Sequence, residues 1–276
     1  MKDSGTINKV RNFATERSIR LSEKAIEKTG SILNEIGGLS IFTMQTFRHF
    51  FFFSFEFKEF IKQCFHIGNR SLPLIAITGA IMGLVLTIQS RPILAEFGAE
   101  SMLPNMVAVS LVREIGPVIT ALICAGKIGS GIGAELGSMK VTEQIDAMEV
   151  SATIPMKYLV VTRVLAATLM IPLLVIAADS MGLLGSWIGV NIKGEVNLAL
   201  YLTRAFSSLD FIDIVPAVIK SFFFGAVIGV IGCYKGYTAG KGTESVGIAA
   251  NSAVVLSSLL IIIVDLIVVQ ITDLIP

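Results

Sequence analysis

The sequence holds little charge and little sulfur: 16% of its 276 residues are charged and three are cysteine. Cys64, Cys124 and Cys233 lack metal-ligand spacing, and two lie in apolar runs, so they read as small core residues rather than a disulfide framework. A net charge of +1 gives no basic field over the chain and argues against a nucleic-acid partner. The first forty residues are charged and contain no apolar core of a secretory signal, so targeting is expected to fall to the membrane spans themselves. Nucleotide-binding motifs are missing as well. Gly129-Ser130-Gly131-Ile132-Gly133-Ala134 satisfies G-x-G-x-x-A on paper but has no β-α-β context. The stretch around Gly240-Lys241 has Lys235 where a P-loop needs its first glycine, and Gly242 where it needs Ser or Thr. No catalytic, cofactor-binding or metal-binding set is visible, and any ATP used by the protein is expected to sit on another subunit.

Apolar surface is abundant instead. With 53% hydrophobic residues and a mean hydropathy of +0.77, the chain is too apolar for an ordinary soluble domain. Five runs approach or exceed the ~20 residues that a helix needs to cross the hydrocarbon core. They lie at about 73–90, 102–125, 158–190, 214–233 and 246–274. Pro73 is expected at the start of the first helix, where a missing N–H costs little. The third run would be about 50 Å long at 1.5 Å per residue; it is expected to tilt, project outward or bend at Pro172.

Lys and Arg are segregated. The segments 1–70, 127–163 and 234–247 hold 17 of the 22, whereas 91–105, 191–213 and the tail hold three. The positive-inside rule places the N-terminus in the cytoplasm and, with five spans, the C-terminus outside. Residues 1–40 read as a polar cytoplasmic segment. Residues 41–70, where aromatics and charges alternate too densely to cross lipid, read as an amphipathic helix in the cytoplasmic interface, with a soluble helix packed on the membrane domain as the alternative. The permease domain is then 71–276. The fold expected is an all-α membrane protein with five transmembrane helices and an N-terminal interfacial helix.

Glycines recur at four-residue spacing (Gly79/Gly83, Gly129/Gly133/Gly137, Gly185/Gly189, Gly225/Gly229, Gly232/Gly236/Gly240), as in close helix contacts within membranes, and favour a compact bundle with a dimer seam. Arg113 and Glu114 stand inside the second apolar run. Charges at that depth are expensive and mark a wet cavity or a partnered interior. Adjacent helical residues point about 100° apart, so these two do not face each other. Asp179 and Asp265 are further intramembrane acids. Beyond the second span, Glu143, Asp146 and Glu149 recur at three-residue spacing in 139–149 and would give a short helix one acidic face, suited to a basic partner or simply to solvent.

Arg113-Glu114-Ile115-Gly116-Pro117, followed by Ala125-Gly126-Lys127-Ile128-Gly129-Ser130-Gly131, then Glu135-Leu136-Gly137 and Thr142-Glu143-Gln144-Ile145-Asp146, closely resembles the MlaE (YrbE) permease family. The resemblance continues through Pro155, Ile171-Pro172-Leu173-Leu174, Asp179 and Gly182–Gly185 and covers about 45–275. Lys127 stands where the family often has Arg, and the Phe-rich stretch at 50–57 is unusually aromatic. These permeases are membrane subunits of ABC transporters that move phospholipids across the Gram-negative envelope. The resemblance implies a homodimer in the bacterial inner membrane, two cytoplasmic ATPase subunits carrying the ATP and Mg, a periplasmic hexameric MCE-domain protein, and in some systems a STAS-domain protein. It further implies a lipid cavity at Glu114 and Arg113, with Leu86, Gln89 and Phe97 around it. A helix at 139–149, with Glu143, Gln144, Asp146 and Glu149, would couple to the ATPase. A structural ion pair at Glu114 is the competing role. A proton-coupled secondary transporter using Glu114, Asp179 and Asp265 is the alternative function, although the repeats usual in that class are not found. A non-transporting scaffold of an MCE complex is a third.

Overall fold

A computed structural model describes residues 30, 33–50, 56–192 and 194–274. The chain divides into two compact units, Met1–Phe47 and Arg48–Pro276. The described backbone at 33–50 is helical and is termed α1. Most of the expected polar segment 1–40, and positions 51–55 of the expected interfacial helix, lie outside the described residues.

The second unit contains five helical stretches long and apolar enough to cross a membrane: Phe57–Glu96, Glu100–Val141, Met156–Asn191, Phe211–Tyr237 and Thr243–Thr272. Four of the expected runs fall inside them, the fifth overlaps its span up to Thr272, and no strand occurs among the described residues. The chain is therefore an all-α, multi-pass membrane protein. The third run stays in one span, and Pro172 lies inside its helix.

The helix of the first span begins well before the expected start at Pro73. Helix α2 (Phe57–Glu96) runs unbroken through Pro73, which is internal and not at a helix start. The reason is a packing stripe that ignores the proline. Glu59, Gln63, Ile67, Ser71, Ile75, Gly79, Gly83 and Thr87 are all buried, every fourth residue, so one face of the helix stays covered along nearly its whole length. Proline removes an N–H from the helix ladder. The carbonyl left without its ladder donor is that of Asn69, and beside it the Arg70 carbonyl accepts a hydrogen bond from Lys127 Nζ of the neighbouring span.

The second span is a composite: α3 (Leu103–Ser110), a π-helical turn at Leu111–Ile115, α4 (Gly116–Cys124), a second π turn at Ala125–Gly129, and α5 (Ser130–Val141). A short helix α6 (Gln144–Val150) follows it. Then come a π turn at Met156–Val161 and α7 (Thr162–Asn191). The expected outer loop at 191–213 contains a helix of its own, α8 (Leu198–Ser207). Asn197 caps it by accepting from the Ala199 N–H at 3.1 Å. Its buried Tyr201 donates to Ser186 Oγ on α7 at 2.6 Å. Helices α9 (Phe211–Tyr237) and α10 (Thr243–Asp273) complete the bundle.

The glycine spacing serves internal seams. A Cβ on Gly83 would lie 1.8 Å from the Gly182 carbonyl oxygen, and one on Gly185 would lie 1.9 Å from that of Ala80, so α2 and α7 touch backbone to backbone. Gly225 and Gly229 approach α7, while Gly232 and Gly236 approach the second span.

Candidate functional site

The π turn at Leu111–Ile115 follows from the proline two residues beyond it. Pro117 has no N–H for the carbonyl of Arg113, and the Gly116 N–H reaches back five residues to the Leu111 carbonyl. The widened turn carries Arg113 and Glu114 toward different partners. Arg113 Nη1 lies 3.6 Å from Asp213 Oδ1, in the first turn of α9. Glu114 Oε2 lies 2.6 Å from Lys220 Nζ. Lys220 also donates to Asp265 Oδ1 on α10 at 3.0 Å.

Three helical elements are thus joined through one ammonium. The Lys220 side chain is 2% exposed, and the Glu114 and Asp265 side chains are 39% and 20% exposed. Removing an ammonium from water costs several kcal/mol, and it is retained charged only where carboxylates or other acceptors replace the lost hydration. Two carboxylates on one cation leave the cluster with a net negative charge. The more exposed carboxylate is Glu114, the group able to meet a ligand without first leaving the cluster.

The sequence-expected neighbours are distributed differently. Leu86 packs against a cluster formed by Leu103, Val107 and Ala108 of α3, Leu183 and Val190 of α7, and Tyr201 and Ala205 of α8. Gln89 and Phe97 are exposed. The cavity bordered by Arg113, Glu114 and Lys220 in one chain is about 10 Å³, room for no more than a water molecule. Asp265 belongs to the Glu114 cluster. Asp179 does not: its Oδ1 is buried without a hydrogen-bond partner among the described residues. It lies where any Cβ on Gly116 would strike it, at 1.8 Å. Among the described residues, no group of three or more His, Cys, Asp or Glu side chains is placed to hold a metal ion.

The expected helix over 139–149 is not continuous. Helix α5 ends at Val141, Glu143 takes a left-handed conformation with φ 57°, and α6 begins at Gln144. A left-handed residue breaks the helical ladder, so Glu143 stands at the corner and not on a shared face with Asp146 and Glu149. Ile145 is fully buried and pins α6 to the bundle. Glu143, Gln144, Asp146 and Glu149 are exposed. Two of the acids have partners within the chain: Lys140 Nζ is 2.8 Å from Asp146 Oδ1, and Tyr237 Oη donates to Glu149 Oε1 at 3.4 Å.

Two positions were not assigned from sequence. Lys220 stands alone among the charged residues of the fourth apolar run, about 214–233, and that isolation is the signal that carboxylates must face it. Arg163, 3% exposed at its side chain, pairs with Glu135 at 2.8 Å and donates to the Leu159 carbonyl at 2.9 Å.

A bundle of five apolar spans, with a partnered charge cluster inside it and a short exposed helix beyond one span, defines a multi-pass membrane protein. Residues 60–271 match the family model described as Permease MlaE, and the chain belongs to that family. It is 39% identical over 254 residues to a probable ABC transporter permease protein of Rickettsia bellii, covering 92% of this chain and 94% of that one. It is 35% identical over 213 residues to the intermembrane phospholipid transport system permease protein MlaE of Haemophilus influenzae, covering 77% of this chain and 82% of the relative. This chain is an ABC transporter permease of the MlaE family.

Proposed function

We propose that the chain is the membrane subunit of an ATP-driven transporter that moves phospholipid between the bacterial inner membrane and a periplasmic MCE-protein channel. The observation that carries this reading is the Glu114–Lys220–Asp265 cluster: a charged group with an exposed carboxylate, kept at membrane depth in a chain similar to a named phospholipid permease. Two copies enclose the substrate space. In one chain the cavity beside Glu114 holds about 10 Å³, so a lipid-sized volume there requires a second wall. A two-fold axis supplies one from the same residues. Glu114 and Arg113 line that space, with Leu86, Gln89 and Phe97 toward its outer end. Two ATPase subunits, bearing the ATP and Mg, dock at α6 through Glu143, Gln144, Asp146 and Glu149. A hexameric MCE-domain protein caps the outer side, and a STAS-domain protein binds the ATPase. The N-terminus is cytoplasmic and the C-terminus periplasmic.

The test is reconstitution of the permease with its ATPase in liposomes containing a fluorescent phospholipid. Transfer to MCE protein that depends on ATP hydrolysis is the expected result. Transfer driven by a proton gradient without ATP would overturn the reading in favour of a secondary carrier.

A further inference from the structure

Between α2 and α5, at the end of the bundle bearing the excess of Lys and Arg, runs a groove lined by none of Glu114, Lys220 and Asp265. Two adjoining cavities of about 370 Å³ and 350 Å³ form it and share Gln63, His66 and Glu135. Each is within the ~300–1,000 Å³ of small-molecule sites. Ile67 and Ile132 are buried at its apolar floor.

The charges around it are unequally occupied. Glu135 is held by Arg163 at 2.8 Å. Glu59 accepts from Gln63 at 2.8 Å and lies 3.6 Å from Lys62. Both carboxylates of the groove are therefore engaged. On the cationic side, Arg70 and Lys127 are exposed and line the first cavity. Among the described residues neither has a carboxylate partner; Lys127 Nζ donates to the Arg70 backbone carbonyl, a contact that does not engage the Arg70 guanidinium.

Depth identifies the ligand. Arg70 stands three residues before Pro73, where the apolar run of the first span begins, and Lys127 stands two residues after Ala125, where that of the second ends. Their hydrogen bond shows that the two positions are level. Two open cations at one edge of the hydrocarbon layer occupy the depth of lipid phosphates, and a guanidinium fork matches the oxygens of a phosphate. The apolar floor suits the glycerol and upper acyl carbons.

We propose that this groove binds the phosphate group of a cytoplasmic-leaflet phospholipid, a position separate from the Glu114 cluster. The proposal rests on the membrane orientation given above, and its test needs neither ATPase nor transport, so a failed transfer assay leaves it standing.

The test uses the full-length, delipidated permease. Short-chain phosphatidylglycerol is titrated against the wild type and against Arg70→Gln, Lys127→Gln and the double variant. Competitors are inorganic phosphate and short-chain diacylglycerol. The Lys127→Gln amide still has a donor for the Arg70 carbonyl. About tenfold weaker binding is expected for each single variant, equivalent to ~1.4 kcal/mol, with diacylglycerol failing to compete. Unchanged affinity in a double variant with wild-type melting temperature would overturn the site, as would equal competition by diacylglycerol. Equal competition by inorganic phosphate would overturn the lipid and leave a free-phosphate site. Should the double variant not fold, a phosphatidylglycerol photoreactive at its head group decides the matter in the wild type. Labelling within 59–71 and 127–139 supports the groove, and labelling confined elsewhere overturns it.

Discussion

The α2–α7 seam and the α9–α10 seam solve the same problem by opposite means. Along α2, the buried Gly79 and Gly83 bring the backbone against Ala178 and Gly182 of α7, with no side chain between. Between α9 and α10, a lysine reaches one carboxylate across the seam and another on the second span. Lipid tails are as apolar as the side chains they replace, so helices in a membrane associate through close packing or through polar contacts. A backbone seam has one geometry and admits no added atom. A charged seam can exchange a partner, which is the property a binding site needs.

The sharpest way to break this comparison is to add volume to the packed seam. Gly83→Val places atoms within 1.8 Å of the Gly182 carbonyl, and backbone cannot yield as a flexible side chain can. Loss of stability at or beyond the ~3 kcal/mol upper range of over-packing is expected, seen as failure to recover monodisperse protein. Gly131→Ala, where nothing lies within 4 Å, should melt like the wild type. Equal tolerance of both would show that the seam opens readily.

Removing the cation from the charged seam ranks next. Lys220→Met leaves Glu114 and Asp265 without their shared partner, and breaking a buried pair in this way costs about 3–5 kcal/mol. The triple variant with Glu114→Gln and Asp265→Asn should regain most of the melting temperature, because no charge is then stranded. A triple variant no more stable than Lys220→Met would mean that the ammonium holds the helices by something other than these acids.

These two seams also separate what the sequence discloses from what it conceals. The five spans follow from apolar runs that the bilayer thickness leaves no other way to satisfy, and the glycine spacing announces close helix contact. Which helices meet was not legible, because a Gly-x-x-x-Gly face names no partner. Glu114 stood out as a charge in an apolar run, yet its partner lies 106 residues away on α9, a separation that periodicity does not encode. The unbroken course of α2 was hidden by Pro73. The proline is a local stop signal, and only the buried stripe from Glu59 to Thr87 outweighs it. The break at Glu143 was hidden too, since three-residue spacing of acids presupposes the continuous helix that the left-handed residue interrupts.

Glu114→Gln sharpens the charged side of the comparison. Lys220 keeps Asp265 at 3.0 Å, and the amide oxygen can still accept its hydrogen bond, so the loss should be about 1–2 kcal/mol, well short of the Lys220 variant. Rescue, if needed, should come from Lys220 and not from Arg113, which pairs with Asp213. If Glu114 also meets substrate, lipid transfer per folded complex should fall clearly at this small stability cost. Transfer that merely tracks protein yield would confine Glu114 to holding helices together.

The smallest effect on stability is expected at the corner beyond the second span, where neither means of packing is at stake. Glu143 is exposed and left-handed, and Asp146 is paired with Lys140 across a solvent-facing gap. Exposed ion pairs contribute about 0–1 kcal/mol, and Ile145, buried between the two acids in sequence, still anchors α6. The double variant Glu143→Lys, Asp146→Lys should therefore melt within about 1 kcal/mol of the wild type. It also sets a lysine beside Lys140 and replaces two negative charges with two positive ones on the surface proposed to receive the ATPase. Complementary charge governs the encounter and register of such partners, so co-purification of the ATPase and ATP-dependent transfer should both be lost. A double variant that retains its ATPase and its transport would place docking on some other surface, with the exposed Val150 at the end of α6 the next position to alter.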